Sequence, residues 1–541
     1  MNNIVLIDRG LEYIDTFLNR SYNIIVLVVD SDVIAQKTKL KYKNCKQITH
    51  IISIQDIDSL DGTPYLTYDL LNKFRDAQCK IEFVAHRWLD DGMLSSNKFI
   101  NALSWWNHIF DTFSLDFVFT SGLEHGCTYD IPIYIAHHRN IPAFLTPPTL
   151  AFHQSILHYG KNIYLPLLTG HLSESELADS LFYPFNPQLL ADSKTQISLW
   201  SKLKAFIYKF LFKIGGQLLI DFIICLKHRN FTISQHMGNF PVSFWHRLSC
   251  FISLKKQFSY YNHIACMPNY DDKFIFYAIH FEPEGGTSVC VPLQNQLTIL
   301  QMLHNALPRG YKLYVKEHPH QFMLNNPEMG YFLYNIQWFK SISFYKELQK
   351  LANIKFINFN TPSHELIKNA QALATINGTI HLEATFHNKP CIVFAGKTIL
   401  LQHAKNIIYV DSFKSLLDGL KKLVKNPAIF DNTSFIEEYK AFLASHATHY
   451  QSADKAQNFI SSIEAYLNNK IEELTGGGAY LRFLYSNIHP LYVFFHPSLT
   501  SRASVKKTLS HLDIAQTSYP LQMPLYSSIF VKAKINTRNA S

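Results

Sequence analysis

The chain has 541 residues, too many for one ordinary core, and 47% apolar against 17% charged residues describes a folded protein of about two domains with additions. Fifty lysines and arginines against 41 acids leave a net charge of +9, which favours anionic partners such as nucleotides, acidic glycans, anionic lipid or nucleic acid without choosing among them. The eight cysteines lie scattered, with no close pair at metal-ligand or redox spacing; this excludes a disulfide framework and a zinc site and points to a reducing compartment.

The opening stretch MNNIVLIDRGLEYIDTF meets Asp8 and Arg9 after a short apolar run, so it lacks the apolar core of a secretory signal and reads as the first strand of a cytoplasmic domain. Predicted strands follow at 3–7, 22–30, 49–54, 80–86, 116–122 and 141–146, alternating with helical stretches as in a parallel sheet with crossover helices. Functional loops in such a sheet sit at the carboxyl ends of strands. That singles out TSGLEHGCTYD, residues 120–130, in this half.

Residues 195–265 change character. LWSKLKAFIYKFLFKIGGQLLIDFIICLKHR is apolar and aromatic, but Lys209, Lys213 and Asp221 interrupt every window long enough to span a bilayer. Two readings remain, a basic amphipathic pair of helices on an anionic leaflet or helices covering the domain junction; the second is preferred, because apolar stretches more often belong to a core.

A second alternating run begins at 273. Strands are predicted at 273–280, 311–317, 354–358, 372–377 and 389–395, with helices over 293–307, 341–352, 363–371 and 378–388, then three more at about 412–425, 432–446 and 453–468. The fold class is therefore α/β, with two doubly wound Rossmann-type domains. The divisions are an N-terminal Rossmann-like domain at 1–175, a helical basic-apolar insertion at 176–268, a second Rossmann-like domain at 269–430, C-terminal helices at 431–474 and a tail at 475–541.

Three successive strand ends of the second domain carry chemistry. In HFEPEGGTS, Gly285 and Gly286 let the backbone approach a ligand, Thr287 can donate to phosphate oxygens, and Glu284 stands beside them. In YKLYVKEHPH, Lys316 and His318 end a strand and Pro319 stops the chain from continuing in the sheet, while Glu317 and His320 read as solvated flanks. In ATINGTIHLEA, Asn377 and Gly378 make a turn, Thr379 opens a helix, and Glu383 lies one helical turn on, placed to accept from ribose hydroxyls. Singly these are a turn, a satisfied histidine and a capped helix; together they describe a pocket for a nucleotide or nucleotide-sugar phosphate.

HFEPEGGT, NQL at 295–297, LPRGYKLYVKEHP, FYKEL at 344–348 and TINGTIHLEATFHNKPCIVF resemble the capsule polysaccharide synthesis proteins, which include capsule Kdo transferases of the GT-B type. The likeness covers mainly residues 273–396 and is looser around 116–142. It implies a GT-B-like pair of domains facing a cleft, the first taking the acceptor and the second the nucleotide-sugar, with no cofactor beyond a nucleotide-sugar substrate, no metal, and transfer to a lipid-linked or glycan acceptor. It also implies contacts with the inner-membrane surface and capsule assembly proteins. Donor-phosphate roles fall on His318 with Pro319 and on Asn377, Gly378 and Thr379. The chain departs from the family where Gly285 and Gly286 replace a common alanine–serine pair.

A departing nucleoside phosphate builds negative charge that Lys316, His318 and the helix start at Thr379 can meet. The acceptor's base should come from the other domain, with Glu124 and His125 as candidates and Asp130 third. His137 and His138 read as structural. Competing readings are a nucleotide-sugar epimerase or polyol-phosphate transferase of the same architecture, and a non-catalytic scaffold of capsule assembly. Nucleic acid is disfavoured, because the basic residues form no stripe interleaved with stacking aromatics.

Overall fold

The computed structural model describes residues 2–468 except for 58, 87–91, 123–126, 147–153, 160–162, 166, 170–171, 173–215, 230, 235–240, 283–292, 319–320, 323–335, 377, 379, 395–403, 432–434 and 450–451. The chain divides into two compact units, Met1–Leu484 and Tyr485–Ser541, and every described residue belongs to the first. Predictions on the tail, on most of the insertion and on the loops 123–126 and 283–292 lie outside the described residues.

The first sheet is built from β1 (Asn3–Ile7), β2 (Asn23–Val29), β3 (Ile48–Ser53), β4 (Phe117–Thr120) and β5 (Ala143–Leu145), all parallel in the order β3-β2-β1-β4-β5. β1 and β2 read as unbroken runs of Ile, Leu and Val because helices cover both faces, leaving no wet side to ask for alternation. Two antiparallel strands, β6 (Gln154–Tyr159) and β7 (Ile163–Leu165), extend the β5 edge. Residues 80–86, predicted as a strand, instead belong to the helix Arg75–Ala85. Its buried Ala77, Ile81 and Val84 are spaced four and three apart, and that period outweighs the local β-forming composition.

After the short hairpin β8 (Thr232–Ser234) and β9 (Pro241–Ser243), the second sheet comprises β10 (Lys273–Ala278), β11 (Tyr311–Lys316), β12 (Ile354–Phe356), β13 (Ala372–Thr375), β14 (Cys391–Val393) and β15 (Ile407–Tyr409). All are parallel, in the order β12-β11-β10-β13-β14-β15, the doubly wound order with its switch point between β10 and β13. Side chains at 274, 276, 314 and 373 share one apolar cluster, and those at 275, 277, 313, 315, 372 and 374 another. By this parity 278, 280 and 316 belong to the first face, and Glu317 to the second.

The chain then returns. The helix Phe435–His446 packs by Phe435 and Leu443 on the second sheet. β16 (Ala447–His449) pairs antiparallel with β6 of the first. The helix Lys455–Leu467 buries Phe459, Ile460 and Ile463 against Ile4, Leu6 and Phe17, and Arg20 pairs with Glu464. Residues 431–474, predicted as helices alone, thus contain a strand that adds to the first sheet, after a helix packed on the second. Two Rossmann-type sheets in one chain, with a last helix crossing back to the first, make the architecture α/β and GT-B-like.

Candidate functional site

The site grows out of the switch point. Ile279 continues β10 by donating its N–H to the Lys316 carbonyl at 2.9 Å, which sets His280 beside the end of β11. His280 is 7% exposed. Its Nε2 accepts the Ile376 N–H at 3.1 Å and lies 2.9 Å from Thr375 Oγ1, which in turn accepts the Gly378 N–H at 3.1 Å. Since Nε2 is an acceptor, the ring proton sits on Nδ1, and no partner for Nδ1 is found among the described residues.

The turn after β13 is shaped around that ring. A Cβ on Gly378 would lie 2.8 Å from His280 Cε1 and 3.5 Å from Nδ1, so only glycine lets the imidazole reach the turn. Gly378→Ala should displace His280 from the turn at little cost in secondary structure; if the pocket takes a nucleotide, binding should weaken at least about tenfold, which titration calorimetry against circular dichroism checks.

The backbone of His280 is held from behind. Gln296, at the start of the helix Gln296–Ala306, accepts the His280 N–H at 2.7 Å and donates to its carbonyl at 3.1 Å. Lys340 donates to the same carbonyl at 2.9 Å and to Glu317 and Gln321 at 3.0 Å each. Glu317 also accepts from Tyr345 at 2.6 Å and from the His318 N–H at 2.9 Å. Both partners of the Lys340–Glu317 pair are buried, with side-chain exposures of 1% and 0%. The expectation that Glu317 is a solvated flank is therefore corrected: its side chain points to the opposite face from Lys316, into a closed network. Such a layer holds donors in place before any ligand arrives.

Lys316 is 7% exposed, bonded to Ser363 Oγ at 3.0 Å, and burial pulls its ammonium below the usual lysine range. His318 is half-buried, with its ring 5.9 Å from that of Phe281. Glu383 is partly buried on the helix Ile380–Phe386, and burial raises its carboxyl, with His364 nearby acting the other way. That helix has only seven residues, so side-chain donors, more than its dipole, shape the site. His381 is buried and donates Nδ1–H to the Gly378 carbonyl, bracing the turn. His280, Lys316, His318, Gly378 and Glu383 thus stand on three neighbouring strand ends; Glu284, Gly285, Gly286, Thr287, Pro319, His320, Asn377 and Thr379 lie outside the described residues.

In the first sheet, Glu124 and His125 also lie outside them. Asp130 is buried and its carboxylate accepts the Cys127 N–H at 3.0 Å, closing the turn Thr128–Asp130. His137 and His138 close the helix Ile131–His138, as predicted. The equivalent switch point holds Asp8, which takes the N–H groups of Tyr13 and Glu12 at 2.7 and 3.1 Å, and Arg9, which grips Asp30 at 2.8 Å. A cavity of about 450 Å³, lined by Tyr311, Gln371, Lys389, Pro390 and Asp431, opens at the amino ends of the second sheet's strands, away from these groups.

The buried histidines give the site a pH signature. Burial lowers His280 to about 3, helped by His318, Lys340 and His381, and lowers His381 to about 4 against the Gly378 carbonyl, which raises it; the free value is 6.5. The unfolded chain therefore takes up protons first. Their stabilising contribution is complete above pH 6.5 and is lost as pH falls toward 4 and 3. Asp8 acts oppositely: burial lifts it from 3.8 to about 6, so the folded state gains stability as pH falls through that window. His280→Gln should lose ground to the wild type less and less below pH 6.5, by about 1.4 kcal/mol per pH unit, in urea unfolding followed at several pH values.

The sequence matches no family model and no curated protein. Among solved structures, it is similar to a UDP-GlcNAc 2-epimerase from Methanocaldococcus jannaschii at 12% identity and a TM-score of 0.22, over 82% of this chain and 99% of that one. It is also similar to KpsC, a beta Kdo 2,7 transferase from Thermosulfurimonas dismutans, at 10% identity and a TM-score of 0.26, over 58% and 78%. A third is the lipopolysaccharide outer core galactosyltransferase WaaB, at 11% and 0.26, over 86% and 99%. At such identities and TM-scores the likenesses say nothing of what this chain acts on.

Proposed function

We propose that the chain is a glycosyltransferase of capsule or other surface polysaccharide biosynthesis, taking its sugar from a nucleotide donor, CMP-linked such as CMP-Kdo, and passing it to a lipid-linked or glycan acceptor. The observation that carries the reading is the Nδ1–H of His280, without a partner among the described residues and fixed at the switch point beside Lys316 and His318. Ligands of doubly wound sheets bind at that crevice.

The leaving nucleoside phosphate gains negative charge as the glycosidic bond breaks. Donors already in place stabilise that charge without reorganising during the reaction. His280, held neutral by burial, offers a hydrogen bond; Lys316 offers a cation whose desolvation strengthens its attraction to phosphate. Glu383 would take a ribose hydroxyl. These side chains meet the leaving group in place of a metal ion, so turnover should survive EDTA. The acceptor's base belongs to the first domain, with Glu124 or His125 in that role.

A thermal-shift screen with CMP, CDP, UDP and GDP on wild type and His318→Ala tests the donor. A CMP-selective rise that is lost in the variant supports the reading, whereas no stabilisation by any nucleotide sinks it. Product analysis separates the neighbours in chemistry: an epimerase needs no acceptor, and a polyol-phosphate transferase leaves phosphorus in its product. A scaffold would bind no nucleotide and tolerate His318→Ala.

A further inference from the structure

The helices Gly216–His228 and Phe244–Ile264 form a hairpin-like pair whose inner side belongs to the fold. Leu218 and Cys225 pack with Phe244, Cys250, Leu254 and Phe281, and the rings of Phe222 and Phe244 lie 5.3 Å apart. Tyr261, further along the second helix, is buried against the second sheet and donates to the Ile357 carbonyl at 2.7 Å. On its inner side the pair therefore packs on itself and on the second sheet; a cover over the domain junction, the preferred reading, is not among these contacts.

Its outer side does not fit that reading. Leu219, Ile223 and Leu226, spaced four and three apart, are 61%, 55% and 52% exposed, and Trp245 is 57% exposed. A helix apolar on both faces is expected to be buried on both, yet among the described residues only one face of Gly216–His228 is covered. The charges in this stretch of sequence are nearly all of one sign. Between residues 196 and 264 the sequence has nine lysines and arginines and a single acid, Asp221, so nearly all of the chain's net charge of +9 resides there. Lys227, Arg229 and Lys256 are exposed on or beside the two helices. Among the described residues no helix is long and apolar enough to cross a membrane.

We infer that this helix pair seats the protein on an anionic lipid surface, with Leu219, Ile223, Leu226 and Trp245 entering the headgroup boundary and Lys227, Arg229 and Lys256 meeting lipid phosphates. Apolar insertion and electrostatic attraction together make such binding stable where either alone is marginal. A second copy of the chain would cover the apolar stripe as well, but it would bring the same excess of positive charge to the contact; an anionic bilayer neutralises it. The inference does not depend on the donor reading, and a chain that binds vesicles but no nucleotide would leave it standing.

The test is flotation of the full chain with vesicles of phosphatidylcholine, with and without phosphatidylglycerol. Binding is expected to the mixed vesicles, to weaken in high salt, and to fall at least about tenfold in Lys227→Glu/Arg229→Glu/Lys256→Glu. Leu219→Gln/Ile223→Gln/Leu226→Gln should lose it too, with the same far-ultraviolet circular dichroism as the wild type. Brominated lipid should quench wild-type fluorescence more than that of Trp245→Phe, a readout that requires no change at the other positions. Absence of binding to anionic vesicles, equal binding by the charge-reversed chain, or a dimer that the glutamine variant converts to monomer with vesicle binding intact would each overturn the inference.

Discussion

His280→Ala should lower turnover by about 10²- to 10³-fold, the loss seen when one preorganised donor to a developing anion is removed. The same variant leaves the Ile376 N–H and the Thr375 hydroxyl without their acceptor, at a cost of about 1–3 kcal/mol in stability. The two effects separate by assaying well below the unfolding midpoint. His280→Gln, whose amide oxygen can take over the acceptor role, should recover stability more than turnover. The pH profile gives a further check. With burial holding the ring at about 3, wild-type turnover should show no inflection from His280 near neutrality. An inflection near 6.5 that disappears in His280→Gln would show a ring that gains charge at work and would sink the neutral-donor role.

Lys340→Met should destabilise the folded state by about 3–5 kcal/mol, because it strands the Glu317 carboxylate in a site with no other cation on it among the described contacts. Adding Glu317→Gln should return much of that loss, since the His318 N–H can donate to the neutral amide oxygen and the Tyr345 hydroxyl, on the other side, can accept from the amide nitrogen. Urea unfolding of the two single variants and the double variant measures the coupling; equal losses in Lys340→Met and the double variant would show that the pair is not the source of the stability. Donor affinity should fall along with stability, as Lys340 also holds the His280 carbonyl. Lys340 directly follows the helix Ile336–Phe339, whose Trp338 stacks on His86 at 4.6 Å and whose Phe339 meets Phe83 at 5.5 Å. The network behind the donor pocket is thereby joined to the helix Arg75–Ala85 and its end in the first domain.

The parallel strands were legible because their central members carry unbroken Ile, Leu and Val between turn signals. Lys316, Gly378 and Glu383 were legible as polar residues placed just past such runs. His280 escaped notice although it follows the apolar run of β10 directly. A parity count along 274, 276, 278 and 280 would have put it on the face of Lys316, but a single histidine at the head of HFEPE carries no local mark of its partners. Glu317 was misread for a related reason. Its neighbour in sequence faces the pocket, while its own partner, Lys340, is 23 residues away. The short β15 and β16 carried too few residues to show a period, and β16 depends on pairing with β6, nearly 300 positions earlier in the chain.

The sequence by itself determined the two alternating α/β halves, the strand ends where ligands gather, and the concentration of positive charge between 196 and 264. These follow from burial period, turn chemistry and composition, which are local properties. Only the tertiary structure decided which ring nitrogen of His280 is engaged, why Gly378 has no side chain, and that Glu317 is a buried anchor. It also decided that one face of Gly216–His228 stays uncovered among the described residues. Each of those depends on hydrogen bonds and packing between residues far apart in the chain, where distance and direction, rather than residue type, set the chemistry.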